Sequence, residues 1–514
     1  MFTLSATTES MISSFLGPCK GNKVVIEDSN FHIVRCPYHL LKETVTQDPF
    51  NFVVEDTLES HHQNYSCSTT SLLAMWYFWK AEFSLLLREG YQLPDIVTHS
   101  QSILETVLSH LHQIELDLKT LIFPSTDKSL KMSYSRHYSA TKIEEEEVTH
   151  DNLKNCIHSV VEKLSHDDKE NSRLVSDLWM QQQSSTHEIK FCSENMILCP
   201  LTLPSSYSSI VEGCIIKSKL HSWCDKELEK NYLLIIKGSL THDYVDIGGS
   251  SHVNVTLRKK PAEVTITKRN AWLQKCFILL KKLQINVLLV HGTVDDDIVC
   301  YCLAHSICLF SHIPWAVLEI LCLTMKTSPC TYLLDCNEKN ILSSLELRLW
   351  KPTQDFTSAD DKFLLVRVAS ESVKLYTVVL CHPNLSYLRC LEHQFMHLVS
   401  RLSLVVKSNK LLPGSGKTEE WCCNLVRRFS VGNGINAKIG MAIANGFIRY
   451  YDFVYRKLEL KDDFTGGAYD DVVSKVEAWK SALCIVIMEL QCDTILINDP
   501  DNMTSGSSRL IGYL

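Results

Sequence analysis

The chain is poor in residues that punctuate a fold, with 18 glycines and 14 prolines among 514 residues. They build no Pro-rich linker, low-complexity tract or fixed-period repeat, which excludes a collagen. Basic charge is not in excess either: 51 Lys and Arg stand against 59 Asp and Glu, a net charge of −8. No global positive field therefore exists to hold a nucleic-acid backbone or an anionic membrane, and neither partner is expected. The opening MFTLSATTESMISSFLGPCK lacks a basic start, an apolar core and a small-residue cleavage site, so a cytosolic protein is expected. A clean membrane span is missing as well. The most apolar window, 304–325, carries His305, His312, Pro314 and Glu319, which are costly in hydrocarbon. It reads instead as a buried strand, a turn at Pro314 and a core helix.

What is present is ordinary globular material, 45% apolar and 21% charged, which rules out a disordered tail protein and a coiled-coil rod. The length is enough for several domains. The 21 cysteines, in a chain expected to stay in the cytosol, read as reduced. Those in apolar runs, such as Cys276, Cys308, Cys484 and Cys492, are expected to be buried small hydrophobes. Residues 23–34 read as two short strands around Asp28-Ser29-Asn30. Residues 69–90 read as a buried helix capped by Ser66, Ser68 or Thr69 and closed by Gly90, and 103–123 also carries helical spacing. Segment 124–155, with its run of four glutamates, breaks the pattern as a solvated stretch, and helical spacing returns over 156–183. From about 197 to 350 short apolar runs alternate as in α/β layers, and 285–292, the DDD segment and ICLF follow a β–α–β order. The last segment opens with the strands FLLVRVA and YTVVLCHP and closes with the helix pattern of 469–491.

Several motifs invite chemistry, and each also fits a plainer role. Gly416-Lys417-Thr418 ends like a phosphate-binding loop, but the first glycine of that pattern falls on Leu411, and a Gly-rich helix–helix turn fits better. Cys300, Cys302, His291 and His305, and the Cys422-Cys423 pair, lack the spacing of a structural zinc site, so no metal is expected. Asp295-Asp296-Asp297 follows a strand, where aspartate caps a helix. No local Ser-His-Asp or Cys-His signature points to an enzyme.

Taken in order, the weaker motifs carry a resemblance. Leu16-Gly17-Pro18-Cys19-Lys20-Gly21, Thr69-Thr70-Ser71, Gly90 to Ile96, Ser209 to Lys217, Asn286 to Val290 with Val294-Asp295-Asp296, Pro413-Gly414-Ser415-Gly416, and Val473 to Ala482 with Asp493 to Leu496 resemble the group II chaperonin subunits along nearly the whole chain. Within that superfamily, Ser135 to Tyr138, Leu164 to Asp167 and Lys475 to Leu490 resemble the Bardet–Biedl chaperonin-like branch, whose vertebrate members look longer.

The resemblance implies a multi-domain α+β and α/β architecture. A helical equatorial domain is expected over 1–124 and 405–514, an intermediate domain over 125–196 and 356–404, and an α/β apical domain over 197–355. It also implies that 24–26 and a strand near 494–497 lie together. Gly17, Pro18, Thr69, Thr70, Ser71, Gly414 and Gly416 would be the remains of a nucleotide pocket, with Lys417 in no phosphate role. The acidic positions of the family's ATPase fall on Cys36, Cys67 and His397, beside Arg35-Pro37 and Ser66-Ser68. A neutral thiol does not replace a carboxylate on Mg²⁺. The ATPase therefore reads as lost, with no required cofactor and room for weak ATP binding. The implied partners are other Bardet–Biedl chaperonin-like proteins, cytosolic chaperonin subunits, and BBSome subunits as clients, at the cilium base.

Overall fold

The computed structural model describes residues 6–17, 21–27, 30–42, 51–123, 150–166, 168–183, 189–222, 232–244, 262–343, 345–352, 362–368, 374–432, 434–459 and 467–492. The chain forms two compact units, Met1–Ser193 with Asn384–Leu514, and Glu194–Pro383. The expected five-part division is finer than these two.

The first unit is built on helices Thr69–Arg88, Ile435–Glu459 and Val472–Gln491. Apolar residues recur on more than one face of Thr69–Arg88 and Val472–Gln491, so these two are largely buried, whereas Ile435–Glu459 is amphipathic and leaves Lys438, Asp452 and Arg456 exposed. Trp79, Phe83, Phe447 and Trp479 are fully buried at the centre. The Phe447 ring stands edge-on between the two indoles, with centroids 5.4 Å from Trp79 and 5.1 Å from Trp479. Helix Thr69–Arg88 closes as expected. Gly90 has φ +94°, its N–H reaches Leu87 O at 3.1 Å, and the Tyr91 N–H reaches Leu86 O at 3.1 Å. Strand Lys410–Pro413 pairs with Tyr469–Asp471 on one side and Leu116–Asp117 on the other. The helical reading of 103–123 is corrected here: the helix ends at His110, and Leu116–Asp117 is strand because it supplies the edge of this small sheet. The expected hairpin is present as Lys23–Glu27 against Asn30–Val34. Its proposed neighbour near 494–497 lies outside the described residues, as does the glutamate run. Helices His150–Ser165 and Lys169–Gln182 answer the returning helical spacing.

The second unit holds a seven-stranded sheet. At its centre Leu233–Ile236, Val287–Val290 and Cys308–Ser311 run parallel, confirming the β–α–β order through helix Asp296–Ala304. Every residue of these strands is buried, because both faces are covered. Leu233, Ile235 and Leu289 pack with Leu318 and Leu321 of helix Trp315–Thr324. Leu234, Ile236 and Leu288 pack with Leu273, Cys276 and Leu280 of helix Ala262–Lys282. The window 304–325 is strand, Pro314 turn and helix, and among the described residues no helix is long and apolar enough to cross a membrane. Asp295 caps the following helix by accepting the Asp297 N–H at 3.1 Å. Lys362–Val368 joins the large sheet, while Tyr376–Cys381 lies between Met196–Leu201 and Ser209–Glu212.

The cysteine expectation needs two corrections. Cys276 and Cys308 are buried, but Cys484 and Cys492 are exposed, because the helix that carries Cys484 turns that position outward. Cys330 and Cys336 form a disulfide, six residues apart.

Gly446 marks a close approach to an aromatic ring in the first unit's core. A Cβ there would lie 2.3 Å from Trp79 Cδ1, on a ring that cannot swing away. The gain in helix propensity from Gly446→Ala, about 1 kcal/mol, is outweighed by overpacking. The variant is expected to lose about 1–3 kcal/mol of unfolding free energy, read from urea denaturation.

Candidate functional site

Two helices of the first unit begin at one cavity. Helix Thr69–Arg88 starts after Ser68, whose backbone is left-handed at φ 61°, and helix Lys417–Phe429 starts after Gly416 at φ 81°. Neither start has a side-chain cap hydrogen bond. The expected cap at Ser68 is therefore corrected: its Oγ sits 2.6 Å from Ser474 Oγ instead. Uncapped helix starts present backbone N–H groups and a positive dipole end, the usual arrangement for an anion.

The cavity has a volume of about 90 Å³ and is lined by Gly17, Thr69, Thr70, Ser71 and Gly416, together with Cys36 and His397. Gly414 is just outside it, where its N–H donates to Ala468 O at 2.8 Å. Cys67 is buried nearby and donates to Asp471 Oδ2 at 3.7 Å. Pro18 lies outside the described residues. The Gly-rich turn joins a strand to a helix, not two helices, because Lys410–Pro413 is held in the small sheet. Leu411 is a buried strand residue, and Thr418 Oγ1 donates to Pro413 O at 2.6 Å. These are not the parts of a loop wrapped around phosphates. Of the other groups weighed for metal, Cys302, Cys422 and Cys423 are buried, Cys300 is exposed, and the ring Nδ1 atoms of His291 and His305 lie at backbone oxygens.

The sequence reading missed the charged wall. His166, Arg401 and Asp470 face the same cavity. Asp470 Oδ1 lies 2.9 Å from His166 Nε2, and its Oδ2 takes Lys475 Nζ at 2.6 Å. Lys475 is buried and also meets Glu419 Oε1 at 2.8 Å. Burial would push the Asp470 carboxyl up, but Lys475, His166 and Arg401 hold it well below the usual carboxylate range. Burial likewise disfavours the Lys475 ammonium, and Asp470 and Glu419 overcome it, raising its pKa. Glu419 is itself raised, by burial that its contact with Lys475 does not cancel. Arg401 donates to Leu164 O. Ser68, His166 and Ser415 all line the cavity with left-handed φ values of 61°, 56° and 58°. Such strain, of order 1–3 kcal/mol each, collects at functional sites.

A second cavity, also of about 90 Å³, shares Arg35, Cys36, His166, His397 and Arg401 with the first. Along it lies a group of histidines drawn from separate segments. His39 stacks on His393 with centroids 4.0 Å apart, and His62 is 5.2 Å from His39 and 5.4 Å from His397. Burial first, then the neighbouring imidazoles, pushes His39 down to about 3 and His397 well below its ordinary value. One donor atom each of Cys36, His62 and His397 lies within 4.8 Å of the others. Local spacing could not disclose this group, since its members are far apart in sequence; only the His393–His397 step of one helical turn was visible.

A chain with an α/β unit inserted into a helical unit, and helix starts converging on a cavity, has the architecture of a chaperonin subunit. The chain belongs to the TCP-1/cpn60 chaperonin family, whose model matches residues 9–447. It is similar to "Chaperonin-containing T-complex member BBS12" of Mus musculus, 21% identical over 509 residues, covering 80% of this chain and 71% of that protein. The Homo sapiens protein of that name is 20% identical over 434 residues, covering 68% of this chain and 61% of its own length. The Xenopus laevis protein is 18% identical over 642 residues, covering 95% and 94%. Among solved structures, a group III chaperonin in the open state superposes with a TM-score of 0.66 at 12% identity, covering 95% of this chain and 97% of that one. At that identity the likeness shows the fold.

The buried charges generate a paired test. Lys475→Met strands two carboxylates and is expected to cost about 3–5 kcal/mol in urea unfolding, whereas Lys475→Met with Glu419→Leu recovers a large part of that loss. Asp470 titrates lower folded than unfolded, so it stabilises above its ordinary value of 3.8, and that contribution disappears as pH falls further. Asp470→Asn should flatten the acid limb of the stability curve below about pH 5.

Proposed function

We propose that this chain is a chaperonin-like assembly factor that holds protein subunits without hydrolysing ATP. The observation carrying this reading is the occupancy of the cavity. The positions where the family resemblance expects acids are Cys36, Cys67 and His397, and the carboxylate that does line the wall, Asp470, is already neutralised by Lys475 and His166. A carboxylate committed in this way is a poor ligand for Mg²⁺, which demands oxygen donors in near-octahedral order. The uncapped helix starts favour a second, narrower reading, in which ATP binds weakly through Gly17, Thr69 and Thr70 with no turnover. A phosphate-loop role for Lys417 is the weaker alternative, since Leu411 and Thr418 are built into strand and turn.

The BBS12 relatives carry the reading further. We place the chain with them as a binding factor for assembly of a ciliary coat complex, the BBSome, with other chaperonin-like proteins and cytosolic chaperonin subunits as partners, in the cytoplasm near the cilium base. The equatorial, intermediate and apical division belongs to this same proposal.

Purified protein is expected to release phosphate from Mg·ATP at the rate of a buffer blank, and Lys417→Ala to leave nucleotide affinity unchanged. Turnover comparable to a cytosolic chaperonin subunit, abolished by His397→Ala, would sink the proposal. Affinity purification from ciliated cells should recover chaperonin-like partners and BBSome subunits. Normal BBSome assembly in cells lacking the chain would count against the assembly role.

A further inference from the structure

The histidine wall has features that neither a packed core nor a nucleotide pocket needs. His62 Nδ1 and His397 Nε2 are buried and have no hydrogen-bond partner among the described residues. Buried polar atoms nearly always find one, so two orphans in one cluster call for an explanation. Cys36 Sγ belongs to the same cluster, with donor atoms from the three side chains within 4.8 Å of one another. The segments that carry them are otherwise unrelated: the turn before helix Pro37–Lys42, helix Asn51–Tyr65 and helix Leu385–Ser408.

We propose that Cys36, His62 and His397 bind a zinc ion. The donor set is sulfur and imidazole nitrogen, which suits Zn²⁺ and disfavours Mg²⁺ or Ca²⁺. Zinc bonds of about 2.0–2.3 Å at tetrahedral angles put ligand atoms roughly 3.3–3.7 Å apart. The cluster therefore needs its donor atoms to draw together by about an ångström. Imidazoles on one tetrahedral ion have ring centres roughly 5 Å apart, and His62 and His397 stand at 5.4 Å. The Thr69 hydroxyl, 3.2 Å from Cys36 Sγ, is placed to support a thiolate as an outer partner. Cys36 and His397 also line the two cavities, so the fourth position opens there to water or to the His39 imidazole. The proposal stands on this geometry and does not depend on the assembly role.

The test uses the full chain, stripped with chelator, and zinc chloride as the probe. One zinc ion per chain is expected to survive dialysis, measured by elemental analysis. Cobalt(II) in its place should show the intense visible bands of a tetrahedral site and a thiolate charge-transfer band. Cys36→Ser and His397→Gln should each weaken zinc binding about tenfold or more and remove the charge-transfer band or alter the visible bands respectively. The double variant Cys484→Ser/Cys492→Ser, at exposed thiols, should change neither. Retention of zinc by a folded Cys36→Ser/His397→Gln chain, or loss of it in the Cys484→Ser/Cys492→Ser control, would overturn the assignment. So would a wild-type cobalt spectrum lacking the thiolate band, a result that does not depend on any variant folding.

Discussion

The position of Lys475 governs the cavity. Its ammonium is buried between Glu419, on the first turn of one helix, and Asp470, on a strand of the small sheet. The next residue, Asp471, accepts Ser474 N at 2.7 Å and so starts the helix that carries Lys475 itself. Ser474 in turn meets Ser68, the residue before helix Thr69–Arg88. Two helix starts and a strand are thus tied through one cation, and a third helix start through the neighbouring Ser474. Burying any of these charges alone would be strongly unfavourable; together they stand because each has its partner. The arrangement fixes where the uncapped amides point, and with them the anion-attracting side of the cavity.

Much of the fold was legible because it is written in local periodicity. The parallel strands of the second unit are short runs, apolar except for Ser311 and buried on both faces, and such runs between helical stretches have few other solutions. Gly90 and Asp295 announced a helix end and a helix start by their own chemistry. The misreadings have a common physical source in tertiary context. Leu116–Asp117 has helical neighbours and becomes strand because Lys410–Pro413 offers it a ladder. Ser68 is a good capping residue, yet its hydroxyl is taken by Ser474, more than four hundred residues along the chain. Cys484 sits in an apolar helix pattern but falls on its outward face.

The candidate site was half legible for a related reason. Residues identified by the family motifs, Gly17, Thr69 to Ser71 and Gly416, do reach one wall. His166, Arg401 and Asp470 had no motif to mark them, because their roles come from one another. The histidines are the extreme case: His39, His62 and His397 have no spacing in common and are joined only by packing.

The division between what this fold retains and what it replaces follows from the source of each interaction. Helix dipoles and backbone N–H groups belong to the main chain, so they persist wherever the fold persists, whatever the side chains. Metal-holding groups are side chains and can change one at a time. On the proposed reading the cavity keeps its main-chain half, the two helix starts, and exchanges the oxygen donors of the other half for thiol and imidazole. That exchange moves the wall from chemistry suited to a hard ion with a phosphate chain toward chemistry suited to a softer ion held by protein alone. A site of the second kind can brace the segments around it without turnover, which is what a subunit that binds and holds requires.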